Sequence, residues 1–155
     1  MKLLLIRHSL AEEIASSDFE RKLTNRGAKR AFRFFEIVKI IYPQIDYIIT
    51  SEALRAKQTA EILKRFYKNA EFIESAKLYQ ADVEDFEEIL SGIDKGVVAV
   101  VGHEPDLSTF VKHRCGDVRI KLSKPSLVEI EDDVLKSLLQ YKQAKAVYER
   151  LKNDS

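Results

Sequence analysis

Arg7 and His8 stand side by side at the end of an aliphatic run, Leu3-Leu4-Leu5-Ile6. A second arginine, Arg55, follows the apolar stretch IDYIIT (45–50). A second histidine, His103, follows VVAVV (97–101) after a single glycine. These residue types suit phosphate. A guanidinium is a planar fork whose N–H groups match phosphate oxygens two at a time. A neutral imidazole can attack phosphorus and carry the phosphoryl group as a phosphohistidine. Arginines close to that imidazole lower its pKa, because like charge disfavours protonation, and they stabilise charge on the transferring oxygens. Taken singly, each residue has a plainer reading as a hydrogen-bonded loop histidine or a surface arginine. The chemical reading gains force only if the fold brings them to one place.

The elements that must do so are legible as alternating patterns. Residues 2–6 (KLLLI) read as a buried strand. Residues 24–42 carry a helical stripe of Ala28, Ala31, Phe32, Phe35, Val38 and Tyr42, with Thr24 as N-cap. A second strand at 45–50 precedes a helix over about 52–67, striped with Ala53, Ala56, Ala60, Leu63 and Tyr67. EFIE (71–74) is a weaker strand, and residues 83–93 read as a helix capped by Asp82. VVAVV is the clearest buried strand, followed by a short helix over 105–114. Val118, Ile120 and Leu122 alternate with polar residues, as in a half-exposed strand or an extended segment. After Pro125, SLVEIE (126–131) reads as the last strand. Leu135, Leu138, Leu139, Val147 and Leu151 predict a helix over 132–152.

This alternation predicts one α/β domain over residues 1–155. The expected architecture is a three-layer sandwich, a mostly parallel central sheet with helices on both faces and one late strand antiparallel. In open α/β sheets ligands bind outside the carboxyl ends of the strands. Arg7-His8, Thr50-Ser51 with Arg55, and Gly102-His103 all fall at such ends. Helix N-termini after the second and fourth strands add N–H donors and a dipole favourable to anions.

Lys plus Arg total 26 against 25 for Asp plus Glu, which leaves no general electrostatic footprint for nucleic acid. The basic cluster Lys29, Arg30 and Arg33 reads as a solvated helix face. The single cysteine, Cys115, excludes an intramolecular disulfide framework. It is no tyrosine-phosphatase nucleophile either: that loop needs an arginine where Lys121 stands. His103-Glu104 lacks the second histidine of a zinc-protease motif, since Leu107 holds that place. His8, His103 and His113 show no ligand spacing, so no metal and no cofactor are expected. His113 is read as a helix C-terminal residue. The apolar N-terminal run is too short for a signal-peptide core, and no stretch has membrane-spanning length. A cytoplasmic monomer is expected, with no nucleic-acid or membrane partner.

Four stretches, IRHSLAE (6–12), DFERKLTNRG (18–27), SEALRAKQTA (51–60) and VVGHEPDLS (100–108), together resemble the histidine phosphatase, or phosphoglycerate mutase-like, superfamily. Their order and the short chain are similar to the small phosphohistidine phosphatase SixA branch. The resemblance implies that His8 is the nucleophile and that Arg7 beside it binds phosphate. It implies that Arg55, in the S-x-x-x-R-A-x-Q-T motif, is also a phosphate ligand. His103, in G-H-x-P, corresponds to the second pocket histidine. Arg21, in D-x-x-R-x-L-T-x-x-G, corresponds to an arginine that reaches the phosphate.

Two departures matter. Ser9 replaces the usual glycine after Arg-His; it is strained if φ is positive there, and otherwise its hydroxyl is placed to bond the phosphate. Leu10 replaces a common glutamate, which argues against sugar-phosphate and mutase activities more than against the phosphatase core. In the region of the family's general acid stand Asp82 and Glu84, both better explained as a helix cap and a first-turn acid. A phosphorylated imidazole can leave as a neutral ring, whereas a phosphate ester leaves as a poor alkoxide. The expected function is therefore a metal-independent phosphatase acting on phosphohistidine in proteins. The alternatives are a small-metabolite phosphatase of the same superfamily and a non-catalytic phosphate- or phosphoprotein-binding module.

Overall fold

The computed structural model describes residues 1–153. Along the chain the elements are β1 (Lys2–Arg7), α1 (Asn25–Ile41), β2 (Tyr47–Ser51), α2 (Leu54–Phe66), β3 (Glu71–Ser75), a 3₁₀ turn (Ala76–Leu78) and α3 (Val83–Leu90). They continue as β4 (Val97–Gly102), α4 (Asp106–Cys115), β5 (Ser126–Glu131), β6 (Val134–Gln140) and α5 (Tyr141–Asn153). The six strands form one sheet in the order β3-β2-β4-β1-β5-β6. β1, β2, β3 and β4 run parallel, and β5 runs antiparallel to β1 and to β6.

The aliphatic runs are apolar throughout because both sheet faces are covered. Leu4, Ile6, Ile48, Ala99 and Val101 face Phe34, Phe35 and Val38 of α1, Leu63 of α2 and Ala144 of α5. The alternate residues Leu3, Leu5, Ile49, Val98 and Val100 face Phe86 of α3 and Phe110 of α4. Those two rings stack with centres 4.7 Å apart. The architecture is the expected α/β sandwich. Among the described residues, no helix is long and apolar enough to cross a membrane.

Caps follow the sequence. Thr24 Oγ1 accepts from the Gly27 N–H at 2.9 Å, and Asp82 with Asp85 closes a reciprocal capping box on α3. In α1 the buried aromatic pair is Phe34 and Phe35, while Phe32 turns out to meet Phe66. Arg30 and Arg33 are more than a solvated face: their guanidiniums lie over the rings of Tyr141 and Tyr148 and help seat α5 on α1. Residues 118–122 form no strand, and Leu122 is buried.

The helix expected over 132–152 begins only at Tyr141. Asp132 and Asp133, at φ 53° and 59°, make a two-residue hairpin turn of the kind that needs left-handed backbone at both positions. The chain then returns as β6. A bulge sets Glu129 opposite Ser137 but Ile130 opposite Leu135, so Lys136 is an extra residue. That insertion breaks the two-residue alternation and leaves Leu135, Leu138 and Leu139 at helical spacing.

Gly27, in the first turn of α1, lies against the chain that leaves β1. A Cβ there would sit 2.0 Å from the Leu10 carbonyl oxygen. Gly27→Ala is expected to destabilise the fold by about 2 kcal/mol or more, as overpacking does. Equilibrium urea unfolding would show it, and an unchanged midpoint would refute this close approach.

Candidate active site

β2, β4 and β1 are neighbours in the sheet, so their carboxyl ends, Ser51, Gly102 and Arg7, open onto one edge. His8 is the first residue past β1 and is only 5% exposed. Its backbone N–H donates to the Gly102 carbonyl at 3.1 Å, which prolongs the ladder to β4. Its Nδ1 lies 2.6 Å from the Ser9 carbonyl oxygen. A carbonyl only accepts, so the ring proton sits on Nδ1 and the lone pair is on Nε2. His103, the first residue past β4, holds its ring centre 5.2 Å from that of His8. Its Nε2 is 2.8 Å from Ser51 Oγ, an oxygen that also accepts from the Ala53 N–H.

Arg55 lies in the first turn of α2 and is buried. Nη1 donates to the Asp18 carbonyl at 2.7 Å, and Nη2 to Asp18 Oδ2 at 3.1 Å. Arg7 Nη1 donates to the Leu122 carbonyl. Arg21, half-buried, donates from Nε to the Glu12 carbonyl at 2.6 Å and from Nη1 to Asp18 Oδ1 at 3.0 Å. Four buried side-chain polar atoms lack a partner among the described residues: Arg7 Nε, Arg55 Nε, His103 Nδ1 and Ser126 Oγ. Three belong to residues singled out above, and Ser126 sits opposite Arg7 in the sheet register. Buried polar groups are normally satisfied, so polar atoms left open together are available to a ligand.

Burial pushes the His8 imidazole down to about 3. Its hydrogen bond to Ser9 opposes this, while the fields of His103, Arg55 and Lys124 reinforce it. Burial likewise pushes His103 down to about 4, with Arg55 and Arg7 adding and Asp18 opposing. Both rings are therefore neutral across the physiological range, the form an attacking imidazole needs.

Three contributors were not foreseen from the sequence. Asp18 joins Arg21 to Arg55 and accepts from the Tyr79 hydroxyl at 2.6 Å. Hydrogen bonds from Tyr79 and Arg21, then from Arg55, hold its carboxyl far below the usual carboxylate range. Its fixed spacing before Arg21 in the D-x-x-R stretch was the available signal. Tyr79 packs its ring edge-on against His103, with centres 5.8 Å apart. Lys124 lies two residues before Ser126, at the end of the sheet where Arg7 stands. Burial lowers its pKa, and Arg7, Arg21 and Arg55 lower it further. Nothing local in the sequence marks Lys124; only the β1–β5 pairing brings it here.

Ser9 departs from expectation. Its φ is not positive, so the strain considered for this position is absent, and its hydroxyl already has a protein partner. Oγ donates to the Gly27 carbonyl at 2.7 Å, and the backbone N–H donates to Thr59 Oγ1 at 3.1 Å. Ser9 therefore anchors the loop to α1 and α2. Gln58 of the same motif as Arg55 also anchors, accepting from the Leu23 N–H at 2.8 Å. Asp82 and Glu84 are exposed on α3. A cavity of about 300 Å³ opens beside His103, walled by Arg55, Asp18, Tyr79, Glu104 and Asp106. Among the described residues, no three His, Cys, Asp or Glu side chains are grouped to hold a metal ion.

NMR of the imidazole nitrogens is expected to show His8 and His103 neutral from pH 8 down to pH 5, and a midpoint near 6.5 for either would overturn the assignment. Because Lys124 depresses His8, Lys124→Met should move the His8 midpoint upward.

A model of the histidine phosphatase superfamily (branch 1) matches residues 3–113. No curated protein matches the chain by sequence at a significant level. Among solved structures, the protein histidine phosphatase SixA complexed with tungstate superposes with a TM-score of 0.84 at 20% identity, covering 92% of this chain and 98% of that one. The α-ribazole phosphatase from Shigella flexneri gives 0.73 at 17% identity, covering 91% and 97%. A phosphoserine phosphatase from Entamoeba histolytica, in complex with 3-phosphoglyceric acid, gives 0.72 at 14% identity, covering 92% and 98%. With more than two thirds of its length matched by the family model, and one edge of its sheet gathering two histidines and two arginines, the chain belongs to the histidine phosphatase superfamily.

Proposed function

We propose that this protein is a metal-independent phosphatase that works through a phosphohistidine on His8 and removes phosphate from phosphohistidine in proteins. The observation that supports this most is the set of open donors, Arg7 Nε, Arg55 Nε and His103 Nδ1, beside an imidazole whose proton is held on Nδ1. Nε2 is then the nucleophile, and the open N–H groups receive the three phosphoryl oxygens. His103 donates from Nδ1 if its proton sits there, with the Ser51 hydroxyl donating to Nε2. Arg21 and Lys124 add positive charge at the rim.

The chemistry balances without a dedicated acid. The substrate ring carries PO₃ on one nitrogen and a proton on the other. Nε2 of His8 bonds to phosphorus, the P–N bond of the substrate breaks, and its electron pair returns to the leaving ring. One phosphoimidazolium has replaced another, so the step is close to thermoneutral. Water then attacks phospho-His8, the new P–N bond breaks towards Nε2, and both water protons leave on dihydrogen phosphate. The Ser9 carbonyl keeps Nδ1 protonated throughout, as a charge-assisted acceptor.

The carboxyls after β3 fit this substrate. Asp82 is committed to the α3 capping box, and Glu84 is exposed. Alkyl phosphates, which need a proton on the leaving oxygen, find no donor there. The superposition on SixA agrees with this reading; that on the α-ribazole phosphatase favours a small phosphorylated metabolite instead.

Mass spectrometry of protein quenched in base during turnover should show one phosphoryl group on His8. His8→Ala should remove it and lower turnover by about a thousandfold or more. A phosphorylated histidine-phosphotransfer domain should be a better substrate than alkyl phosphomonoesters by about tenfold or more in kcat/KM. Full turnover by His8→Ala would end the mechanism; a preference for alkyl esters would end the phosphohistidine assignment. Phosphate binding without turnover of any substrate would mark a binding module.

A further inference from the structure

The cavity beside His103 has three carboxylates on its walls, Asp18, Glu104 and Asp106. Two are occupied. Asp18 is bonded to Arg21, Arg55 and Tyr79. Glu104 uses both oxygens on Ser108, accepting from its backbone N–H and from its hydroxyl. Asp106 uses only Oδ2, on the Ala81 N–H at 3.0 Å. Oδ1 has no hydrogen-bond or ion-pair partner among the described residues. The Ala81 contact fixes the direction of the side chain, since Asp106 begins α4 just past the turn that carries His103.

Building on the phosphohistidine reading, we infer that Asp106 Oδ1 accepts the N–H of the leaving imidazole ring and so makes the site selective for an N-phosphorylated imidazole. Phosphorus must sit at His8 Nε2, and the leaving group must extend away from it. The cavity beside His103 provides the space, with the flat ring of Tyr79 as one wall. The leaving ring carries its proton on the nitrogen far from phosphorus. A carboxylate on that N–H favours the protonated substrate, whose ring departs neutral. No proton changes hands: the P–N bond breaks towards the ring, and the far nitrogen keeps its hydrogen. Burial raises the proton affinity of Asp106; the Ala81 N–H opposes this and the charge of Glu104 adds to it. A carboxylate of raised basicity is a stronger acceptor for a cationic N–H.

The test compares phosphoimidazole, N-methylated phosphoimidazole and p-nitrophenyl phosphate with wild-type protein and Asp106→Asn. The amide keeps an oxygen for the Ala81 N–H, so the fold is preserved, and circular dichroism checks that. Asp106→Asn should lose about tenfold or more in kcat/KM on phosphoimidazole relative to its loss on p-nitrophenyl phosphate. The N-methylated probe has no N–H to donate, so wild type and variant should differ on it no more than on p-nitrophenyl phosphate. Equal losses on all three probes would reduce Asp106 to a brace for the Ala81 loop and overturn the inference, as would no loss on any. A wild-type protein that turns over p-nitrophenyl phosphate but not phosphoimidazole would overturn the phosphohistidine reading itself, whatever the variant does.

Discussion

Like charges held together govern the site. Arg7, Arg21, Arg55 and Lys124 crowd one end of the sheet, and each depresses or is depressed by others of the set. Two unit charges about 7 Å apart repel by roughly 2 kcal/mol at the effective dielectric of a protein surface. The fold contains that repulsion by tethering. Arg7 is tied to the Leu122 carbonyl, and Arg21 and Arg55 to Asp18. The two imidazoles between them stay uncharged because burial and these same cations oppose protonation. A dianion entering the cluster relieves what the tethers only hold in check. The positive charge of the cluster and the neutrality of its two rings therefore have one common origin.

The second requirement is orientation, and the sheet supplies it. β1 is paired along its whole length with β4 on one side and β5 on the other. His8 leaves this strand while its backbone is still bonded to Gly102. The neighbouring carbonyl of Ser9 then settles which ring nitrogen is free. Little of this depends on long side chains finding one another. It depends on backbone geometry that the aliphatic runs enforce by being buried on both faces.

That is also why some of the site could be read in the sequence and some could not. Arg7, His8, Arg55 and His103 each stand within a helical turn of a strand end, and apolar runs mark strand ends well. Asp18, Tyr79 and Lys124 are brought to the site through loops whose paths are set by contacts far away in the chain. The bond from the Ser9 hydroxyl to α1 is not legible because its partner, Gly27, lies nearly twenty residues later. The β5–β6 hairpin was hidden by one inserted residue, Lys136, which turned a two-residue rhythm into a helical one. Asp132-Asp133 was the contrary sign, a pair of residues that tolerate left-handed backbone.

The stretch between β1 and α1 has almost no regular structure, only an isolated bridge between Ala11 and Leu23. Yet it carries Asp18 and Arg21, while His8, Arg7, Arg55 and His103 hang from strand ends and a helix. The site is thus divided between regular elements and an irregular stretch. The two parts meet at Asp18, which bonds both Arg21 of the loop and Arg55 of α2. In this arrangement a change in the loop reaches the two rings through Asp18 and Arg55, whose charges act on them.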